Sequence, residues 1–249
     1  VTNCSFTNNN NGEGAVFFTG KGEVTNCNFA DNYATNGGAI YFSDLGTVTN
    51  CNFTRNSASN NSGVVYFKDT GVLSNCNFIN SASKNNGGAV FFEKSGNVEN
   101  CNFTNNEVNG AKSSGGAIYL NGAGNVINSI FTANKATRNG GAIYVEAQSI
   151  NNIFSCQFYN NYAGQSGGAI FFHNLVQNNS FESIFKDNYA GYGAGIFFSK
   201  NANANRFNSD FINNTAKSCG GAMFFYSTTD KNNFSGIFIN NSALGLLDP

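Results

Sequence analysis

The chain has 249 residues, a net charge of −1 and only 11% charged residues, so its electrostatics give no reason to expect nucleic acid or an anionic membrane as a partner. It contains no run of 18 apolar residues, hence no predicted membrane span, and no basic-then-apolar signal peptide opens it. Asparagine occurs 48 times, against one proline and no tryptophan, and asparagine tolerates turn and left-handed conformations.

The first recurring element is a phenylalanine followed three residues later by an asparagine or, once, a serine. Ten copies run through the whole chain at intervals of 23 to 28 residues. The phenylalanines are Phe6, Phe29, Phe53, Phe78, Phe103, Phe131, Phe158, Phe185, Phe211 and Phe238. Their partners are Asn9, Asn32, Asn56, Ser81, Asn106, Asn134, Asn161, Asn188, Asn214 and Asn241. Self-similarity at such a period predicts a stack of similar coils rather than a globule with one centre.

The segments that carry these pairs have the pattern of strands. Their apolar runs are short, rich in β-branched and aromatic residues, and bounded by Gly, Asn and Ser, as in strands rather than helices. We therefore predict an all-β protein, a right-handed parallel β-helix of about ten coils, because such crossovers are right-handed. Like residues then stack between coils, so the Phe and Asn columns are expected to be structural ladders, with Phe inside and Asn at a turn.

Strict alternation predicts which side chains of this first element point inward. In the segment from Val24 to Phe29, a period of two places Thr25, Cys27 and Phe29 on one face. Six cysteines share this column, one per coil: Cys4, Cys27, Cys51, Cys76, Cys101 and Cys156. We predict buried free thiols there, with an oxidised or metal-bound thiolate ladder as the alternative, and we expect Cys219 to be exposed.

A second element, Gly-Gly-Ala-Ile-aromatic-aromatic, lies between successive Phe–Asn pairs, as in Gly37 to Phe42. Alternation predicts that Ile40 and Phe42 point inward, and that Ala39 and Tyr41 point outward. The outward aromatic column, flanked by the Ala39 column, is a candidate binding stripe, because it exceeds the apolar patch of an ordinary monomer. Its members are Phe17, Tyr41, Tyr66, Phe91, Tyr119, Tyr144, Phe171, Phe197 and Phe224. A solenoid wall covered by turns is the alternative interpretation.

The repeat changes length beyond the middle of the chain. From the second aromatic of the block to the next column phenylalanine there are 11 residues in five coils, to about residue 131, and 13 in four coils, from about residue 145. An insertion of two preserves alternation, which predicts a new inward column of Phe154, Phe181, Phe207 and Phe234 at the position of Thr25. We predict one β-helix domain over residues 1–249, expected to be part of a larger surface protein.

Catalysis on such a scaffold requires carboxylates gathered on one face. The acids are scattered: Asp31 and Asp187 share a column about six coils apart, and we expect no acids in matching columns of adjacent coils. The single histidine, His173, lies outside the cysteine column and is predicted to be a solvated surface residue. We therefore predict no enzyme, no catalytic residues, no metal site and no cofactor.

Two motifs carry a resemblance to known proteins. Gly-Gly-Ala-Ile (Gly37 to Ile40) and Phe-x-x-Asn (Phe29 to Asn32) resemble the repeats of the chlamydial polymorphic outer-membrane proteins. Together with the Asn-rich coils and Val-x-Asn-Cys-x-Phe, they make the chain look still more like the adhesin-like surface proteins of methanogenic archaea. The resemblance extends over essentially all 249 residues and implies an extracellular or cell-surface location and a role in adhesion. Its motifs mark scaffold positions and carry no binding residues to transfer.

The leading functional hypothesis is a non-catalytic, adhesin-like β-helix, secreted or at the cell surface. It would be a rigid stalk and a binding surface for proteins or glycans of a host or neighbouring cell. One alternative is a self-assembling surface filament or layer made of copies of this chain, since the first coil has no obvious polar cap over its edge. A second alternative is a β-helix enzyme that acts on polysaccharides.

Overall fold

The computed structural model describes residues 1–10, 12–60 and 63–245. These residues form strands and turns without a helix. Successive coils pair in parallel and in register, as Phe29 does with Phe53. The predicted parallel β-helix is confirmed. Ten strands carry the column phenylalanines, but the other two long sheets have nine strands each, so the chain makes about nine turns.

The largest sheet, here called the Phe sheet, has 17 strands and carries the Phe and Cys columns. The first coil contributes one short strand, two later coils contribute one long strand each, and the other coils contribute two neighbouring strands each. The strands are Ser5–Thr7, Gly22–Thr25, Asn28–Ala30, Gly46–Thr49, Asn52–Thr54, Gly71–Ser74, Asn77–Ile79, Gly96–Glu99, Asn102–Thr104, Val126–Thr132, Ile153–Tyr159, Ser180–Phe181, Ile184–Lys186, Arg206–Asn208, Asp210–Ile212, Asn233–Ser235 and Phe238–Ile239.

Two nine-stranded sheets complete the long walls of the solenoid. The aromatic sheet follows the Gly-Gly corner and consists of Val16–Phe18, Ile40–Phe42, Val65–Phe67, Val90–Phe92, Ile118–Leu120, Ile143–Val145, Ile170–Phe172, Ile196–Phe198 and Met223–Phe225. The corner sheet precedes that corner and consists of Tyr33–Ala34, Ser57–Ala58, Ala82–Ser83, Glu107–Val108, Lys135–Ala136, Tyr162–Ala163, Tyr189–Tyr192, Thr215–Cys219 and Ser242–Ala243.

A fourth, short sheet exists only in the last four coils, where the repeat is longer. Its strands are Ser149–Ile150, Val176–Gln177, Ala202–Asn203 and Thr229–Asp230. Phe154 is fully buried, as predicted, but it pairs with Val126, which continues the column of Val24 and not that of Thr25. The coil gains three residues before Phe154 and loses one after it, at the irregularity beside Ser129. The predicted position of this column was therefore wrong.

A residue in the left-handed conformation explains why the prediction that Thr25 points inward is wrong. Asn26 has a φ of 54° and bends the chain between Gly22–Thr25 and Asn28–Ala30, so the period of two does not run across it. Val24 is fully buried and Thr25 only half-buried, the reverse of the prediction. Among the described residues, twenty non-glycine residues have positive φ, and fourteen of them are asparagines. Asparagine bears this conformation better than other non-glycine residues, which accounts for its abundance.

The prediction for Ala39 is wrong for a similar reason, because the chain bends at the Gly-Gly corner. Gly37 has a φ of 57°, and the strand begins only at Ile40, so alternation does not reach back to Ala39. That alanine is fully buried within the main core, contrary to the prediction that it points outward. A Cβ on Gly38 would lie 2.2 Å from the carbonyl oxygen of Ser57 in the next coil. The corner therefore needs one glycine for its conformation and one for its close approach.

Candidate functional site

Two columns predicted as ladders are structural and lie inside. The column phenylalanines stack face to face, with ring centroids 4.4–5.0 Å apart. Asn134 shows the amide pattern: its Nδ2 donates to Asn161 Oδ1 and to the Phe103 carbonyl, each at 3.0 Å. Its Oδ1 accepts from the backbone N–H and Nδ2 of Asn106. The ladder thus connects successive coils and satisfies buried polar groups.

One rung of the asparagine ladder is incomplete. Ser81 stands where the neighbouring coils have Asn56 and Asn106, and its N–H donates to Asn106 Oδ1 at 3.0 Å. Its Oγ is the one buried side-chain polar atom without a hydrogen-bond partner among the described residues. Serine is too short to accept from Asn56 Nδ2, which donates to the Phe29 carbonyl as the ladder amides of other coils also do.

The cysteine column is also a hydrogen-bonded ladder. The N–H of Cys51 donates to Cys76 Sγ at 3.4 Å, and where serine follows, the N–H of Cys101 donates to Ser129 Oγ at 3.0 Å. All seven cysteines are free, and five cysteines of the column are buried and Cys219 is exposed, as predicted, but Cys4 in the first coil is exposed, contrary to the prediction. Burial raises the pKa of the Cys156 thiol to about 12, which keeps it protonated and unreactive at neutral pH.

The outward aromatic column differs from the flat stripe that was expected. Its nine rings stack on one another at centroid distances of 4.7–5.3 Å, with planes 5–21° apart. The ring faces therefore cover each other, and only the edges face outward. Phe17 in the first coil is 44% exposed, but Phe91, Tyr144, Phe171 and Phe197 are only 5–9% exposed. A continuous, exposed apolar stripe is absent from the described part of this column.

The same column forms the floor of a groove in the later coils. The groove has a volume of about 570 Å³ and runs over Tyr144, Phe171, Phe197 and Phe224. Three of these four positions are phenylalanine, whereas the column has tyrosine in four of the five coils from Tyr41 to Tyr144. Apart from Tyr144, the floor of the groove thus lacks the tyrosine hydroxyl. We call it the aromatic groove.

Each wall of the aromatic groove comes from one column beside its floor. His173, Ser199 and Tyr226 follow the aromatic strands by one residue and form one wall. Asn139, Ser166 and Tyr192 form the other wall, where they are joined by bridges between coils. Arg138 and Gln165 extend this second wall, and the Arg138 Nε donates to Gln165 Oε1 at 3.2 Å.

Sequence analysis missed both walls of this groove. Tyr226 is 72% exposed and lies one residue beyond the strand Met223–Phe225, so that alternation within the strand does not place it. His173 was predicted to be an ordinary solvated residue. Its side chain is 44% exposed, in agreement with that prediction, and its ring lies 6.3 Å from those of Tyr144 and Phe171.

Two of the earlier coils carry an acid, Glu93 or Glu146, in the column that has His173 and Ser199 in the groove wall. Tyr66 donates its hydroxyl to Glu93, and Tyr119 donates to Glu146 Oε2 at 3.1 Å. Burial and the neighbouring carboxylate raise the pKa of Tyr119 above its usual range, so the phenol stays neutral. These hydroxyl–carboxylate pairs occupy the space that is open in the later coils.

Three further acids make contacts within the scaffold. Asp31 pairs with Arg55 of the next coil at 2.7 Å, and the hydrogen bond from Arg55 lowers the pKa of that carboxyl. Asp44 and Asp69 do occupy matching positions of adjacent coils, which corrects the expectation that no such pair exists. Each accepts the N–H of the residue that follows it, and Lys94 pairs with Asp69.

The described residues contain neither a side-chain cluster suited to a metal ion nor a helix that could span a membrane. Between residues 1 and 245, apart from residues 11, 61 and 62, no group of three or more His, Cys, Asp or Glu is arranged to hold a metal ion. No helix in these same ranges is long and apolar enough to cross a membrane.

Comparison with known proteins supports the repeat type. The family model of the Chlamydia polymorphic membrane protein repeat matches residues 128–146 and 155–173. These two segments include the Phe131–Asn134 and Phe158–Asn161 pairs and the Gly-Gly-Ala-Ile blocks at Gly140 and Gly167. The repeat type that the motifs resemble is thus found in two adjacent coils. No curated protein and no solved structure matches the chain.

Proposed function

We propose that this chain is a non-catalytic β-helical segment of an adhesin-like protein, secreted or at the cell surface. It acts as a rigid stalk and presents a surface for proteins or glycans of another cell. The observation that carries the proposal is the match to the repeat of the Chlamydia polymorphic membrane protein. The match lies on a parallel β-helix whose recurring Phe and Asn residues form buried structural ladders. A surface protein fits both.

The distribution of acids supports binding rather than catalysis. The carboxylates of Asp31 and Asp69 are paired with Arg55 and Lys94 across coils, and Glu93 and Glu146 accept hydrogen bonds from tyrosines. A general acid and base need free carboxyl groups close to one another on one face. The groups described here are engaged in contacts between coils instead.

An array of cell-surface glycans and proteins tests this proposal. The folded chain, labelled at the exposed Cys219, is expected to bind one class of ligand saturably. A sample unfolded in denaturant and diluted onto the same array serves as the control and should lose that binding. Binding that is equal for the folded and the unfolded chain, or no binding at all, would contradict the proposal.

A further inference from the structure

We propose that the aromatic groove binds an acidic oligosaccharide, laid along the solenoid axis across the coils of Tyr144, Phe171, Phe197 and Phe224. This names the ligand class of the binding surface proposed above and rests on that proposal. The groove is an independent feature of the fold, since the ladders do not require it.

The floor and rim of the groove favour a negative charge. The stacked rings of Phe171 and Phe197 turn their edges outward, and an aromatic edge carries the positive part of the ring quadrupole. The residues that line the groove include Arg138 and no aspartate or glutamate. Glu146, in the same coil as Tyr144, accepts a hydrogen bond from Tyr119, and its Oε1 lies 3.9 Å from His173 Nε2.

The walls suit a ligand rich in hydroxyl groups. Ser166, Ser199 and Gln165 supply short donors and acceptors along both sides of the floor. The ring of Tyr226 lies 6.4 Å from that of Phe197 and is 72% exposed, so that one of its faces is available for stacking on a pyranose. Aromatic walls with a few convergent polar groups are typical of small-molecule sites.

The size and edges of the groove favour an oligosaccharide over a protein. Its volume of about 570 Å³ is in the range of small-ligand pockets. A peptide that adds a strand needs an unpaired sheet edge. The groove strands Ile170–Phe172 and Ile196–Phe198 each pair with a neighbour on both sides, which leaves no edge for such a strand.

The sharpest test introduces into the groove a tyrosine hydroxyl, which the same column has in other coils. Phe197→Tyr places a hydroxyl in the groove, and tyrosine fits this column in other coils, as at Tyr144. Calorimetry with tetragalacturonate is expected to show saturable binding to the wild-type chain and at least a tenfold weaker affinity for the variant. Phe91→Tyr makes the same change in the same column outside the groove, and should bind like wild type.

Two further variants act on the rim without touching the core. Tyr226→Ser and Arg138→Gln should each weaken tetragalacturonate binding severalfold. Their matched controls are Tyr33→Ser, at an exposed tyrosine of a distant coil, and Arg206→Gln, at an exposed arginine of the Phe sheet. Cellotetraose, a neutral tetrasaccharide, should bind at least tenfold more weakly than tetragalacturonate to the wild-type chain.

Any one of several outcomes would overturn the inference. These are no saturable binding of tetragalacturonate, equal affinity for cellotetraose, and rim and floor variants that bind like their controls. An acidic peptide such as tetraglutamate that binds as tightly as tetragalacturonate would also contradict it. If the groove fails in this way while the folded chain still binds elsewhere on the array, the surface function stands and only the groove assignment falls.

Discussion

At the scale of single residues, the interior of this protein is organised by backbone groups that need partners in the next coil. Asparagine and cysteine do the same task in two columns, since each side chain accepts the N–H of the equivalent residue one coil away. This explains why serine replaces cysteine at Ser129, Ser183 and Ser209, whose hydroxyls accept such bonds at 3.0 Å. Packing of small apolar thiols alone does not explain that exchange.

The incomplete rung at Ser81 makes a prediction about stability. Ser81→Asn should complete the ladder, because its Oδ1 would accept from Asn56 Nδ2 as in the other coils. We expect a gain of about 1 kcal/mol, which is roughly 2–4 °C in Tm for a chain of this size. Asn134→Ser makes the reverse change and should lower Tm. A lower Tm for Ser81→Asn in thermal unfolding would contradict this reading of the ladder.

The cysteine ladder is tested by removing its acceptor. Cys76→Ala leaves the buried N–H of Cys51 without the sulfur that accepts it, which should cost about 1–3 kcal/mol. Cys76→Ser keeps an acceptor and is expected to change the free energy of unfolding by less than about 1 kcal/mol. Urea unfolding measures both values. Equal stability of the alanine variant and the wild-type protein would show that the thiol only fills space.

At the scale of elements, the sheets are set by the bends between them. Corner glycines and left-handed asparagines divide each coil into strands of two to four residues, apart from a few longer ones. Sequence patterns predicted the parallel stack, the Phe ladder and the Asn ladder, because a stack repeats each column coil after coil. They misplaced Thr25 and Ala39, because alternation holds within a strand and stops at a bend.

The second glycine of the Gly-Gly corner is expected to be required for the close approach of neighbouring coils. A Cβ on Gly88 would lie 2.0 Å from the Gly116 carbonyl oxygen and 2.6 Å from that of Glu107. Gly88→Ala should therefore push neighbouring coils apart and lower the free energy of unfolding by about 1–3 kcal/mol. Gly20→Ala is the control, because nothing lies within 4 Å of its added Cβ. If urea unfolding shows the same midpoint for both variants, the corner does not need its second glycine for space.

At the scale of the whole molecule, the ladders make a scaffold on which surface residues are free to differ. The aromatic groove lies over Phe171, Phe197 and Phe224, which lack a hydroxyl, and beside His173 and Ser199, which take the place of Glu93 and Glu146 in two earlier coils. The sequence predicts the aromatic column but not the groove, because the orientation of the rings and the position of the neighbouring walls depend on how the coils stack. The match to a membrane-protein repeat concerns the scaffold, and the groove is what distinguishes this chain's later coils.

The most direct test of the account measures binding and ligand fate together. The folded chain is incubated with the ligand it retains on the surface array, and the ligand is then recovered and examined by mass spectrometry. We expect saturable, reversible binding and recovery of the ligand at its original mass. Cleaved or modified ligand, formed in proportion to the amount of folded chain, would contradict a non-catalytic binding role.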